Sequence, residues 1–167
     1  MTRSRLAEFL LWIAIVMAGI VLGASVYQRI ALIPEWGGYL PQSVIDYFGG
    51  TTAAAASGRF WTRFLPPTGL VLLLTLVAGW PDRQRRPWLA LAFGLYLAAM
   101  VWTALWFIPE GVVPLMQQAG AGMTPDEISS RARTWIFLDW FRTALALGFL
   151  LALLQALTLR RAAPRVA

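Results

Sequence analysis

An aspartate and an arginine three residues apart, Asp139 and Arg142, stand at the mouth of an otherwise apolar run. From Arg142 to Arg160 the chain is apolar or small apart from Thr143, Gln155 and Thr158. On a helix this i, i+3 spacing lets the two side chains pair on one face, and Trp135 lies on that face one turn before Asp139. A carboxylate so placed can act as a general base, and a guanidinium can hold an oxyanion or carboxylate of a bound molecule. Ionisable groups at membrane depth are costly, which makes them functional-site candidates by default. The competing reading is a counter-ion pair, in which Arg142 snorkels toward the headgroups and Asp139 neutralises it.

Composition narrows the chemistry. The chain contains no histidine and no cysteine. This removes disulfides, thiol redox chemistry, the usual zinc sites and haem held by His or Cys. Proton transfer then falls to Asp, Glu or Tyr. No phosphate loop, nucleophile elbow or metal-ligand spacing is present, so no metal and no cofactor is expected. All 14 basic residues are arginine, which a bias in coding composition explains without recourse to function.

The elements that must position these residues are four apolar runs in a chain that is 59% hydrophobic, with a mean hydropathy of +0.63. They predict an all-α integral membrane four-helix bundle, a single domain over 1–167, with helices at about 6–27, 60–80, 88–107 and 125–159. The first run is longer than the ~7–15 residues of a signal-peptide core, and three more follow, so it is read as a retained span. Gly19 and Gly23 form a GxxxG motif that lets a neighbouring helix approach closely. Internal packing is the expected use, and pairing of two copies in a homodimer is the alternative.

Gln28 to Ser57 reads as a long connection broken by Pro34, Gly37-Gly38, Pro41 and Gly49-Gly50, with a short surface helix over Ser43–Phe48. Thr51 or Thr52 is a candidate cap for the second helix, which begins as early as Thr52. Pro66-Pro67 lies inside that helix and predicts a kink, because the carbonyls of Thr62 and Arg63 lose their helical donors. Gly94 and Ala98 give the third run a small-residue face. Ile108 to Met123, with Pro109, Pro114 and three glycines, reads as a second long loop. Thr124-Pro125-Asp126-Glu127 is a capping box with proline at the first helical position. The helix it starts is longer than a bilayer requires, so its first turns are expected to project.

Charge sets the orientation. Arg3, Arg5, Arg83, Arg85, Arg86, Arg160, Arg161 and Arg165 fall on one side of this topology, opposed only by Glu8 and Asp82. On the other side five arginines meet five carboxylates. The whole net charge of +6 therefore lies on one face. The positive-inside rule puts that face and both termini in the cytoplasm, with the two longer loops outside. The protein is expected to be multi-pass in the cytoplasmic (inner) membrane. The same distribution accounts for the basic pI without nucleic acid, leaving the lipid bilayer as the expected partner.

Heights along the helices bring further residues to one level. Arg142 lies 17 residues before Leu159, and Arg63 lies 17 before Trp80, a rise of ~26 Å at ~1.5 Å per residue. Gln28 and Glu110 end their own runs at the same level. Gln28, Trp36, Trp61, Arg63, Glu110 and Trp135 are therefore the candidate ligand-binding residues, with Asp139 and Arg142 the candidate catalytic pair. An apolar pocket between helices with a few polar groups is the usual form of a small-molecule site, here for a hydrophobic or aromatic molecule. An aromatic belt around a structural ion pair is the other reading of the same residues.

These pieces occur in a suggestive order. Gly23-Ala-Ser-Val-Tyr27-Gln-Arg29 comes with Pro34-Glu-Trp36 and Pro41-Gln-Ser43. Phe60-Trp61, Trp106-Phe-Ile-Pro109-Glu110, and Trp135 with Asp139-Trp-Phe-Arg142 follow. Over nearly the whole chain this resembles the anthrone oxygenase-like family of small four-helix bacterial and fungal membrane proteins, most of them without an assigned substrate. The resemblance implies four membrane helices and, for named members, oxidation of polycyclic anthrones by dioxygen without metal or flavin. The family usually carries Asn where this chain has Asp139. The carboxylate is thus a departure that makes Asp139 either a base or a counter-ion.

Overall fold

The computed structural model describes residues 2–49, 51–112, 115 and 122–159; the side chains of 51–57, 106–107 and 110–112 lie outside this description. The described residues are all-helical. Helix α1 (Arg3–Tyr27) passes through a π-helical turn (Gln28–Leu32) into α2 (Ile33–Gly37). Helices α3 (Gln42–Gly49), α4 (Thr51–Gly79) and α5 (Arg86–Trp102) follow, then a second π-helical stretch (Thr103–Val112) and α6 (Pro125–Thr158). Four stretches are long and apolar enough to cross a membrane: Arg3–Gly37, Gly58–Gly79, Arg86–Leu105 and Pro125–Thr158. The protein is a multi-pass membrane protein.

The four long helices form a ring in which each packs on its neighbours, α1 on α4, α4 on α5, α5 on α6 and α6 back on α1. The pattern within each helix explains the ring. On α1 the buried residues are Leu11, Ala14, Ala18, Val21 and Ser25, spaced alternately by three and four. Small side chains face inward, while Phe9, Trp12, Val16 and Ile20 face out. That arrangement suits lipid, where association gains from close helix approach and large apolar groups find a good solvent outside.

The glycines follow a different rule from the one expected. A side chain at Gly19, Gly23 or Gly94 would meet nothing within 4 Å, so the GxxxG face and the Gly94–Ala98 face both point outward. The inward small positions are alanines. Close approach is needed instead at Gly69 on α4, where an added Cβ would lie 2.7 Å from Tyr96 Oη and 2.8 Å from Tyr96 Cε1. Tyr96 Oη donates to the Leu65 carbonyl at 2.8 Å. Gly69→Ala is therefore expected to destabilise by about 1–3 kcal/mol through overpacking, read as a lower thermal midpoint of the purified protein.

Helix α4 runs through Pro66 and Pro67 without interruption. The carbonyls deprived of a donor by the prolines are those of Thr62 and Arg63; Thr68 Oγ1 and Tyr96 Oη bond the next two, Phe64 O and Leu65 O, each at 2.8 Å. Thr51 and Thr52, expected as caps, are the first two residues of α4, and their side chains lie outside the described residues.

The largest correction concerns the connections. The stretch after Tyr27 is helical as far as Gly37, because Ile30–Ile33 continues the apolar run and a π turn absorbs the proline. The Ile33 N–H bonds to the Gln28 carbonyl, and the widened turn eases the clash and lost donor that Pro34 would impose on a regular helix. Pro109 likewise sits inside the second π stretch, where a loop was expected. The expected short helix over Ser43–Phe48 is present as α3. Ile33, Trp36, Val44, Leu115, Ile128, Ala132 and Trp135 form a second buried core. Thus α2, α3 and the first turns of α6 build a helical cap over the bundle end opposite the arginine-rich turn.

The capping box forms as expected. Thr124 Oγ1 accepts from the Glu127 N–H at 3.3 Å, and the Thr124 N–H donates to Glu127 Oε2 at 2.9 Å. Thr124→Ala is expected to cost about 1 kcal/mol, which for a chain of this size lowers the thermal midpoint by roughly 2–4 °C. Arg160, Arg161 and Arg165 lie outside the described residues.

Candidate functional site

Asp139 is fully buried, at 0% exposure, beneath the helical cap. Arg142, one turn along the same helix, donates from Nη2 to Asp139 Oδ1 at 2.7 Å. The second oxygen is engaged by a residue from another helix: Arg29 Nη2 lies 3.3 Å from Asp139 Oδ2. Arg142 Nη2 also donates to Gln28 Oε1 at 3.2 Å, and Arg29 Nη2 donates to the Ile136 carbonyl at 2.8 Å. The pair read from the sequence is therefore part of a four-residue cluster in which two guanidiniums share one carboxylate.

Gln28 and Arg29 are the first two residues of the π turn Gln28–Leu32, and they meet the two members of the pair: Gln28 accepts from Arg142 and Arg29 lies against Asp139. π turns inside α-helices are frequent at functional sites. The second such stretch begins at Thr103, which lines the small cavity on the far side of Arg142.

Indole rings cover both guanidiniums. The Arg142 guanidinium lies 4.9 Å from the Trp61 ring centre, and that of Arg29 lies 4.1 Å from Trp140. Cation–π contact of this kind holds a desolvated guanidinium in place. The two sides of the cluster differ. Beside Arg142 the cavity, lined by Ser25, Trp61, Tyr96 and Thr103 among others, measures only ≈ 20 Å³. This suits a single water and no organic molecule. On the other side the Arg29 side chain is 12% exposed and Trp140 is 58% exposed. Arg29 Nε is buried and has no hydrogen-bond partner among the described residues.

Comparison with known protein families, characterised proteins and solved structures finds no match.

The expected site residues divide as follows. Gln28, Trp61, Asp139 and Arg142 come together. Trp36 and Trp135 are buried against each other, ring centres 4.6 Å apart, in the cap core. They therefore fill the space they were expected to line. Arg63 is exposed on α4 and makes no ion pair or hydrogen bond among the described residues. The side chain of Glu110 lies outside the described residues. Among the described residues no group of His, Cys, Asp and Glu is arranged to hold a metal ion.

Arg29 and Trp140 are the residues that sequence reasoning passed over. Arg29 falls in the stretch Gln28 to Ser57 that the sequence reads as a connection, beyond the helix ending at Tyr27. A signal was present: Ile30 to Ile33 is apolar without interruption, which is a poor start for a solvated loop.

Chemically, the cluster holds a fixed positive patch at an apolar surface. Asp139 accepts a hydrogen bond from Arg142 on Oδ1, while Oδ2 lies 3.3 Å from Arg29 and accepts no hydrogen bond among the described residues. Arg29, partly exposed beside an exposed indole, is the cation of the cluster open to an anion.

Proposed function

We propose that this protein binds a hydrophobic or aromatic small molecule carrying an anionic or oxyanionic group, at the Arg29–Asp139–Arg142 cluster. The observation that carries this reading is the charge of the cluster, two guanidiniums against one carboxylate, with the Arg29 side chain 12% exposed against Trp140. The anion meets Arg29. The apolar body lies on Trp140 and Phe137, both exposed on the adjoining face of α6. Access is from the lipid side, in keeping with the ≈ 20 Å³ interior cavity.

The arginine-rich turn supports, through the positive-inside rule, a cluster toward the outer leaflet of a cytoplasmic (inner) membrane with both termini inside. The test is ligand retention. Native mass spectrometry of the gently purified protein is expected to show a bound amphipathic anion that is lost in Arg29→Met. A well-folded Arg29→Met protein that keeps the same ligand would remove the cluster from the site and leave it a packing device between helices.

A second reading narrows the ligand to a polycyclic anthrone oxidised without cofactor. The family resemblance raises it, and the guanidinium–indole edge favours it. The ionised anthrone oxygen would pair with Arg29 and its fused rings would cover Trp140. The overall change is balanced by dioxygen alone: the ring methylene loses two hydrogens and gains one oxygen atom, and the other oxygen leaves as water. Dioxygen uptake matched mole for mole by quinone formation in purified protein, absent in Arg29→Met, is the expected result. No uptake above the protein-free rate would sink this reading while leaving the binding proposal standing.

A further inference from the structure

The opposite end of the bundle holds a separate cleft of ≈ 550 Å³, between the start of α1, the end of α4 and the α4–α5 turn. Its size falls in the ~300–1,000 Å³ range of small-molecule sites. Its walls are amphipathic. Ala7 and Leu11 of α1, Ala78 of α4 and Leu89 of α5 line the apolar part, and Arg3, Arg83 and Arg85 line the polar part with Asp82.

The polar groups differ in how far they are committed. Asp82 Oδ1 accepts from the N–H groups of Gln84 and Arg85, at 3.1 and 3.3 Å, and so shapes the turn. Arg85 donates to the Leu159 carbonyl at 2.9 Å and lies 3.6 Å from Asp82, which makes it a fixed wall. Arg83 makes no ion pair or hydrogen bond among the described residues. Arg3 makes one long contact, 3.5 Å from Nη2 to the Val77 carbonyl. Thr2 makes no side-chain cap bond at the start of α1, so the positive end of that helix adds to the same field.

We infer that this cleft binds the phosphodiester headgroup of an anionic phospholipid. Arg3 and Arg83 hold the phosphate, and one acyl chain leaves along the apolar wall. The ligand class follows from charge and shape together. Three arginines against one aspartate call for an anion, and guanidinium matches phosphate oxygens in pairs. The apolar wall and the place of the cleft at the end of two spanning helices call for a lipid rather than a free ion.

The test uses the whole protein, delipidated in non-ionic detergent, with thermal unfolding as the readout. Phosphatidylglycerol at saturation is expected to raise the midpoint by about 5 °C, with phosphatidylcholine raising it by less than about 1 °C. R3Q/R83Q is expected to lose at least half of the phosphatidylglycerol effect. R59Q/R133Q, which removes the same charge from exposed residues elsewhere, is expected to keep it. An equal response to phosphatidylcholine overturns the inference, as does an R59Q/R133Q protein that loses as much as R3Q/R83Q. Inorganic phosphate reproducing the full shift shows a free-anion site and overturns the lipid assignment. Native mass spectrometry of wild type and R83Q, counting retained phosphatidylglycerol, gives an independent reading if the double variant folds poorly. Equal retention there also overturns it.

Discussion

Asp139→Asn is expected to lower the thermal midpoint of the purified protein by roughly 6–20 °C. Asp139 is at 0% exposure and holds Arg142 at 2.7 Å and Arg29 at 3.3 Å. Asparagine keeps the shape and one acceptor oxygen but removes the charge that offsets two guanidiniums. Leaving buried charge without its partner costs about 3–5 kcal/mol, and each kcal/mol moves the midpoint of such a chain by roughly 2–4 °C. The same arithmetic predicts partial rescue. Adding Arg29→Met to Asp139→Asn removes one of the stranded cations and should recover at least half of the loss. A double variant no more stable than Asp139→Asn alone would show that Arg29 is not coupled to Asp139.

Arg29→Met alone is expected to change stability by less than about 1 kcal/mol, since the lost ion pair is offset by no longer desolvating the guanidinium, while weakening anion binding by about 10–100-fold. Asp139 keeps its shorter partner, Arg142, so no carboxylate is stranded. A hydrogen bond to a charged group is worth about 1.5–3 kcal/mol, which converts to that range of affinity. Titrating a long-chain or aromatic carboxylate and following tryptophan emission measures it, because Trp140 lies against Arg29. Equal affinity in wild type and Arg29→Met would falsify the assignment of Arg29 to the anion.

The finding of Arg29 also revises what Arg142 does. Read as a lone pair, Asp139–Arg142 implies a loss of ~3 kcal/mol or more on removing Arg142. With Arg29 in place the single change leaves a paired carboxylate. The full penalty is expected only in Arg29→Met/Arg142→Met.

The lipid-facing architecture was legible along the chain. Four apolar runs, the arginines clustered on alternate connections and the Thr124–Glu127 capping box are local or periodic signals. Local chemistry alone decides whether such a segment is helical and apolar enough to span. Asp139 and Arg142 were visible for the same reason, since a charge in an apolar run stands out without knowledge of its neighbours, and the shared level of Gln28 followed from helix rise. What tertiary structure decided was direction around each helix axis and the fate of the connections. Gly19 and Gly23 face outward, and Trp36 stacks on Trp135, because neighbouring helices choose which face they cover. Arg63 faces out for the same reason. Arg29 reached Asp139 through a π turn, whose i+5 bonding no 3.6-residue periodicity encodes and which Pro34 favours only where packing holds the continued helix in place.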